Sequence, residues 1–221
     1  MFRKPYFCNM KWYWIKTPIF IKRWFSNQIW DIPNPDNKIY LTFDDGPTPE
    51  ITPWVLDILK KNQIKATFFC IGKNIEKYPA IFQKINDDGH VIGNHTFNHQ
   101  NGWKTNTEDY LQNVALCTSA IKEQEIKFTN LFRPPYGKIK KSQSKKLREL
   151  GCKIIMWDVL SADFDTTITT EKCLKNVVKN TKSGSIIVFH DSKKAFKNLK
   201  YALPEAIEIL KKRGFVFEVL S

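Results

Sequence analysis

The sequence predicts an α/β protein, a distorted (β/α) barrel of about seven parallel strands preceded by a short aromatic and basic N-terminal segment. Three observations carry this. Short apolar runs alternate with amphipathic stretches from residue 38 onward, and a cluster of breakers (Pro33, Asn34, Pro35, Asp36, Asn37) separates them from what precedes. Polar, reactive residues follow strand after strand. A composition with 42% hydrophobic and 14% aromatic residues excludes collagen-like, low-complexity and disordered classes. At 221 residues, the chain can bury roughly 70% of its unfolded surface without a staple.

Residues 1–37 read as a basic, aromatic extension and residues 38–221 as the main domain. The first 30 residues hold six basic residues (Arg3, Lys4, Lys11, Lys16, Lys22, Arg23), no acidic one, and Trp12, Trp14, Trp24 and Trp30. The first reading is a leading helix that packs its aromatics under the domain and exposes its lysines. The second is an amphipathic segment on an anionic membrane surface or polymer. Lys16, Lys22 and Arg23 interrupt the apolar pieces and no small-residue cleavage site follows, which argues against a secretory signal. With no run of eighteen apolar residues, the expected location is cytoplasmic or peripheral to a membrane.

The net charge of +13 favours anionic partners and says nothing about fold. Five widely spaced cysteines (Cys8, Cys70, Cys117, Cys152, Cys173) with no C-x-x-C predict free thiols and lean toward a reducing compartment. Strands are predicted at 38–43, 66–70, 90–93, 130–133, 152–157, 185–189 and 215–219. Helices are predicted at 50–62, 75–87, 107–124, 142–150, 170–181 and 198–213; Leu111, Val114, Ala115 and Cys117 recur at helical spacing in the third.

In parallel barrels, loops at the carboxyl ends of strands build the active site. Asp44-Asp45-Gly46-Pro47, Asn94-His95, Arg133-Pro134-Pro135-Tyr136-Gly137, residues 158–163 and His190-Asp191 each follow a predicted strand. His95 and His99, at i and i+4 on a helical turn, would point two imidazoles at one metal ion. Asp45 is the natural third ligand, because two imidazoles and a carboxylate suit zinc or a similar divalent ion. The tandem Asp44-Asp45 has two readings. It is either a turn with Asx-type hydrogen bonds, or a pair that divides labour between holding the metal and acting as base.

These blocks resemble the polysaccharide deacetylase family, the NodB-homology domain of carbohydrate esterase family four. The matching stretches are Thr42–Pro47, Gly93–His99, Arg133–Gly137 and Ile186–Asp191, in the family's order, over roughly residues 38–219. The resemblance implies a metal-dependent removal of N-acetyl groups from an N-acetylated glycan such as peptidoglycan or chitin. Asp45, His95 and His99 would hold one divalent ion, zinc by preference. Asp44 would be the general base, paired with Arg133; His190 would be the general acid, oriented by Asp163. The Tyr136 backbone N–H would help bind the oxyanion, and Val188, Pro135, Tyr136 and Phe164 would contact substrate.

The chain departs from the family where Leu160 stands in place of a common aspartate, Phe164 in place of a tryptophan, and Val188 in place of leucine. His90 reads as structural, Asp191 as a backbone clamp for its neighbours, and Trp157 as core. Lys138, Lys140 and Lys141, with Lys193, Lys194 and Lys197, would form a positive rim that attracts anionic glycans. A monomer is expected, and no nucleic-acid partner, since no phosphate-cradling or zinc-finger spacing occurs. Two other functions fit less of the sequence: the same metal site acting on a non-sugar amide, and a catalytically silent basic protein that binds a membrane surface or nucleic acid.

Overall fold

The computed structural model describes residues 13–126 and 129–221. The expectations for Cys8 and for the basic and aromatic residues among 1–12 lie outside the described residues. The strands are β1 (Lys38–Asp44), β2 (Thr67–Cys70), β3 (Val91–Asn94), β4 (Leu131–Phe132), β5 (Lys153–Ile154), β6 (Val159–Leu160), β7 (Ile186–His190) and β8 (Val216–Glu218). The helices are α1 (Ile19–Trp24), α2 (Ile51–Lys61), α3 (Gly72–Lys77), α4 (Pro79–Asp87), α5 (Thr107–Lys122), α6 (Lys141–Glu149), α7 (Thr170–Asn180) and α8 (Phe196–Lys212).

Every strand pairing is parallel, in the order β5-β4-β3-β2-β1-β7-β6, with β8 beside the first half of β1. This is the predicted curled (β/α) barrel, with its seam between β5 and β6. Strand alternation sorts β1 into two faces. Leu41 and Phe43 join a large apolar layer with Val55 and Leu56 of α2 and with Leu203 and Ile207 of α8. Tyr40 packs on the opposite face with Phe69 and Ile186. Thr42 and Asp44 share that inner face, where both receive the guanidinium of Arg133.

Residues 15–32 close the seam. The Leu160 N–H donates to the Ile15 carbonyl and the Thr17 N–H to the Asp158 carbonyl, both at 2.9 Å. On the other side, the Ile29 N–H donates to the Ile154 carbonyl (2.9 Å) and the Met156 N–H to the Ile29 carbonyl (2.7 Å). The expectation of a leading helix that packs its aromatics and exposes its lysines is corrected by these contacts. Helix α1 spans only six residues. Lys16 and Lys22 turn inward and both pair with buried Asp158, and Lys22 also pairs with Asp31. The cause is the Asp158 carboxylate, only 3% exposed, which is costly to bury without cations. Trp30 is buried as expected, whereas Trp14, Phe20 and Trp24 are exposed.

Two further elements differ from the sequence reading. The helix predicted at 75–87 is two helices, α3 and α4, broken at Tyr78 (φ −133°, ψ 56°) because the residue before a proline is pushed out of the helical region. The strand predicted at 152–157 is short, since Ile155 pairs with Ile29 instead, and β6 follows as a strand the sequence reading missed. The described cysteines (Cys70, Cys117, Cys152, Cys173) are free thiols. Among the described residues no helix is long and apolar enough to cross a membrane.

His90 is buried beneath β2, with its Nδ1 accepting the Ala66 N–H at 3.1 Å and its ring edge-on to Phe68. Burial lowers its pKa from 6.5 to about 4, so the folded state favours the neutral ring. The unfolded chain takes up this proton first as pH falls, so this contribution to stability is lost as pH drops from 6.5 to about 4. Urea unfolding at a series of pH values tests this. Across that window, wild type should lose about 2 kcal/mol more than the His90→Gln variant.

Candidate active site

Strand register assembles the site at one rim. Asp44, the last residue of β1, lies opposite His190 at the end of β7 and Phe69 of β2. Asn94, ending β3, lies opposite Cys70 and Phe132. Asp45, His95 and Arg133 each follow one residue later, so all three leave the sheet on the same side. This is the carboxyl-end geometry expected of parallel barrels.

The Asp45, His95 and His99 donor atoms lie within 4.8 Å of one another. Asp45 Oδ1 is 3.7 Å from His95 Nε2 and 3.2 Å from His99 Nε2. The expected helical turn carrying the two histidines is absent. They flank a bend in which Thr96 (φ 65°) and His99 (φ 58°) are left-handed. Asn94 Oδ1 accepts the Thr96 N–H at 2.8 Å and Thr96 Oγ1 accepts the Gln100 N–H at 2.9 Å, which fixes that bend. Side-chain capping by Asn and Thr competes with helix here. His95 Nδ1 lies 2.8 Å from the Arg133 carbonyl, so this nitrogen carries the proton and Nε2 is left as a ligand atom.

The donor set fits a divalent cation. Buried Asp45 Oδ1 makes no hydrogen bond, and two imidazoles plus one carboxylate leave further coordination positions open. Burial opposes ionisation of Asp45, yet the imidazoles of His99, His190 and His95 hold its carboxyl far below the usual range. Burial pushes His95 down to about 4, which keeps its ring neutral, the form a metal requires.

The Asp45 loop is braced from below. Asp191, fully buried, accepts the Gly46 N–H at 3.0 Å and the Thr52 hydroxyl, so the backbone it clamps is that of the distant Asp45 loop and not of its sequence neighbour. A Cβ on Gly46 would stand 2.0 Å from Asp191 Oδ2, so only glycine fits. Left-handed backbone recurs around the rim, at Asp45, Thr96, His99, Tyr136 and Ala162. Such conformations persist where surrounding contacts over-determine them, and they gather at working sites.

Two groups with different partners face the metal-ligand cluster. Asp44 Oδ1 accepts from Arg133 Nη1 at 2.7 Å, and Asp44 Oδ2 lies 4.0 Å from His95 Nε2. His190 Nδ1 is 2.7 Å from Asp163 Oδ1, and the His190 backbone N–H donates to Asp163 Oδ2, also at 2.7 Å. Burial alone would depress His190; the adjacent Asp163 carboxylate overrides it and raises the imidazole to about 9. Phe164 meets His190 edge-on at 5.1 Å between ring centroids.

A cavity of about 420 Å³ joins these groups, with Asp44, Asp45, His95, His99 and His190 in its wall. Tyr136, Phe164, Val188 and Leu160 also line it; Pro135 is buried and does not. Trp157, expected in the core, is half-buried and lines the cavity too. Of the predicted lysine rim, Lys138 and Lys194 reach the cavity, whereas the Lys140 ammonium is spent on the Thr105 carbonyl. Sequence reading missed Tyr13, which lines the cavity, donates its hydroxyl to Asp165 and meets Phe164 edge-on at 5.5 Å. Its only signal was a place in the aromatic N-terminal run.

Fold and site together define a hydrolase built to hold a divalent metal. The sequence pattern described as polysaccharide deacetylase matches residues 31–155. A peptidoglycan-N-acetylglucosamine deacetylase of Bacillus cereus is 36% identical over 193 residues, spanning 87% of this chain and 90% of that one. The solved Bc1960 peptidoglycan N-acetylglucosamine deacetylase, in complex with an aryl hydroxamate, superposes with a TM-score of 0.83 at 35% identity, over 88% of this chain and 91% of that one. A pseudoenzyme of carbohydrate esterase family four from Bacillus anthracis, BA3943, shares the fold with a TM-score of 0.80 at 23% identity, over 87% of this chain and 67% of that one. The chain belongs to the polysaccharide deacetylase family.

Replacing Asp163 tests what tunes His190. In chelator-treated protein, the His190 ring should titrate near 9 by NMR. In Asp163→Asn the midpoint should fall by more than about one unit, because the carboxylate that offsets burial is gone.

Proposed function

We propose that the protein removes N-acetyl groups from an N-acetylated amino-sugar polymer of the peptidoglycan or chitin type, releasing acetate, with Asp44 as base and His190 as acid. It is a hydrolase of non-peptide carbon–nitrogen bonds. The observation that carries the assignment of roles is the placement of an Arg133-paired carboxylate and an Asp163-raised imidazole in the wall of one cavity, beside the metal-ligand cluster.

Asp45, His95 and His99 would hold the ion, zinc by preference for this donor set. When bound, it would supply Lewis-acid charge stabilisation at the reacting carbonyl and would acidify water at the site. Asp44 accepts a proton from water as the water oxygen bonds to the acetamide carbon. Arg133 holds that carboxylate in one orientation through the 2.7 Å contact. The Tyr136 backbone N–H donates to the developing oxyanion. His190, with Nδ1 engaged by Asp163, gives its other ring proton to the nitrogen as the C–N bond breaks, so the sugar leaves as an amine. Val188, Leu160 and Phe164 supply an apolar wall for the acetyl methyl.

For contact with anionic polymer, Lys138 and Lys194 stand at the cavity and Arg23 of the N-terminal segment is exposed, whereas Lys16 and Lys22 are paired internally.

Mass spectrometry of chitin oligomers, peptidoglycan fragments and small amides after incubation, with and without chelator, tests the reading. Loss of single acetyl groups from the glycans, blocked by chelator, is the expected result; turnover of small amides alone would overturn it. Two variants separate the roles. Asp45→Ala should weaken divalent-metal binding, measured by calorimetry, by at least ~10²-fold and abolish turnover. Asp44→Asn should bind metal as wild type does while kcat falls by about 10³-fold or more.

A further inference from the structure

Helix α1 is built inside out. Successive residues of a helix turn by about 100°, so Ile19, Phe20, Arg23 and Trp24 share one face and Ile21 and Lys22 fall on the other. The face that carries the lysine is the one that packs. Ile21 and, just past the helix, Phe25 lie against the core cluster of Phe132 and Leu147, while Lys22 pairs with Asp158 and Asp31. Three large apolar side chains are left outside: Ile19 is 63% exposed, Phe20 59% and Trp24 76%. Trp14, also exposed, meets Phe20 edge-on at 6.3 Å and extends the patch. A surface helix ordinarily turns its apolar stripe to the core, and a contiguous apolar patch turned to solvent marks a contact surface.

The surroundings of the patch are basic. Arg23 is exposed on the apolar face itself. The groove between α1 and α6 is lined by Trp24 from one helix and by Lys141, Lys145 and Arg148 from the other. Those three cations, all exposed, stand at i, i+4 and i+7 and form one stripe along α6. Lys145 lies 3.9 Å from Glu149, an exposed pair that leaves the stripe strongly positive. The first 30 residues contain no acidic side chain, and Asp31 is taken by Lys22.

We propose that this face is a docking surface for an anionic lipid bilayer, with Ile19, Phe20 and Trp24 seated among the headgroups and Arg23, Lys141, Lys145 and Arg148 on the lipid phosphates. Charge complementarity and the apolar residues select this partner together. Indole rings settle at the membrane–water boundary, and cations beside them are drawn to acidic headgroups. A soluble acidic polymer would satisfy the cations but offers no apolar layer for Ile19 and Phe20. The sense of α1 explains how a segment so rich in lysine can dock this way: Lys16 and Lys22 hold it to the domain through Asp158, and the apolar side is thereby presented outward. Tyr13, next to Trp14 in the chain, lines the reaction cavity, so docking by this face would hold that cavity close to the bilayer.

Sedimentation of the full-length protein with lipid vesicles tests this. Vesicles of phosphatidylcholine with roughly one third phosphatidylglycerol should carry wild type down, and vesicles of phosphatidylcholine alone should bind it about tenfold or more weakly. The double variant Phe20→Ser/Trp24→Ser should lose about tenfold or more in partition onto the anionic vesicles. Lys141→Gln/Arg148→Gln should lose about tenfold there and nothing on phosphatidylcholine alone. Tyr201→Ser, at an exposed aromatic residue of α8, is the control and should bind as wild type does. The substituted side chains are exposed, so circular dichroism should show every variant folded. Wild type that fails to sediment with anionic vesicles would overturn the proposal. So would a Phe20→Ser/Trp24→Ser variant that sediments fully, since attachment would then rest on charge alone. Binding to dextran sulfate with none to vesicles would overturn it in favour of an acidic polymer. Phe20, Trp24, Lys141 and Arg148 do not line the reaction cavity, so each of these outcomes leaves the deacetylase reading, assayed on soluble oligomers, untouched.

Discussion

The buried contact between Arg133 and Asp44 is the interaction on which the rest of the structure depends. Arg133 is fully buried inside the barrel, and its guanidinium has four protein acceptors: Asp44 Oδ1, Thr42 Oγ1 and the carbonyls of Ile155 and Met156. It also lies 4.1 Å from the centre of the Phe69 ring. One side chain thus ties β1, β2, β4 and the chain leaving β5. A buried cation deprived of its carboxylate typically costs 3–5 kcal/mol, about half the stability of an ordinary domain. The same contact leaves the other Asp44 oxygen facing His95, so the group that completes the core also aims the carboxylate at the site.

Closure of the barrel depends on a second buried carboxylate. Asp158 draws in Lys16 and Lys22 from the N-terminal segment and accepts the Ser185 hydroxyl at 2.6 Å. These pairings fix the segment beside β6, where Ile15 receives Leu160, and its later part reaches the β5 side, where Ile29 pairs with Ile155. A domain boundary drawn at residue 38 marks where the main-domain pattern begins; the packing unit of the structure already includes residues 13–37.

The rim was legible in the sequence because it is built from local blocks. Each pairs a strand end with the polar residue that follows, and parallel pairing then brings the blocks together whatever the intervening lengths. The helix–strand order was legible for the same reason. What could not be read was set by contacts distant in the chain. Strand β6 is two residues long and exists because β7 flanks it on one side and Ile15 on the other. The inward turn of Lys16 and Lys22 is dictated by Asp158, more than 130 residues away. The His95–His99 spacing suggested a helix, but backbone N–H groups donating to the Asn94 and Thr96 side chains made it a bend that delivers the same convergence by another route.

A shared fold does not by itself confer activity, since BA3943 superposes well and is a pseudoenzyme. In this chain the surroundings of His190 are built outward as far as residue 13. Asp163 takes both the ring and the backbone N–H of His190, Phe164 packs edge-on to that ring, and Tyr13 packs edge-on to Phe164 while binding Asp165. The family resemblance leads one to expect tryptophan at position 164. With phenylalanine there, the ring that meets His190 edge-on is itself backed by Tyr13 from the segment that closes the barrel. The N-terminal segment therefore reaches both places through neighbouring residues: Ile15 and Thr17 pair beside the seam, and Tyr13 packs on the loop that carries Asp163 and Phe164.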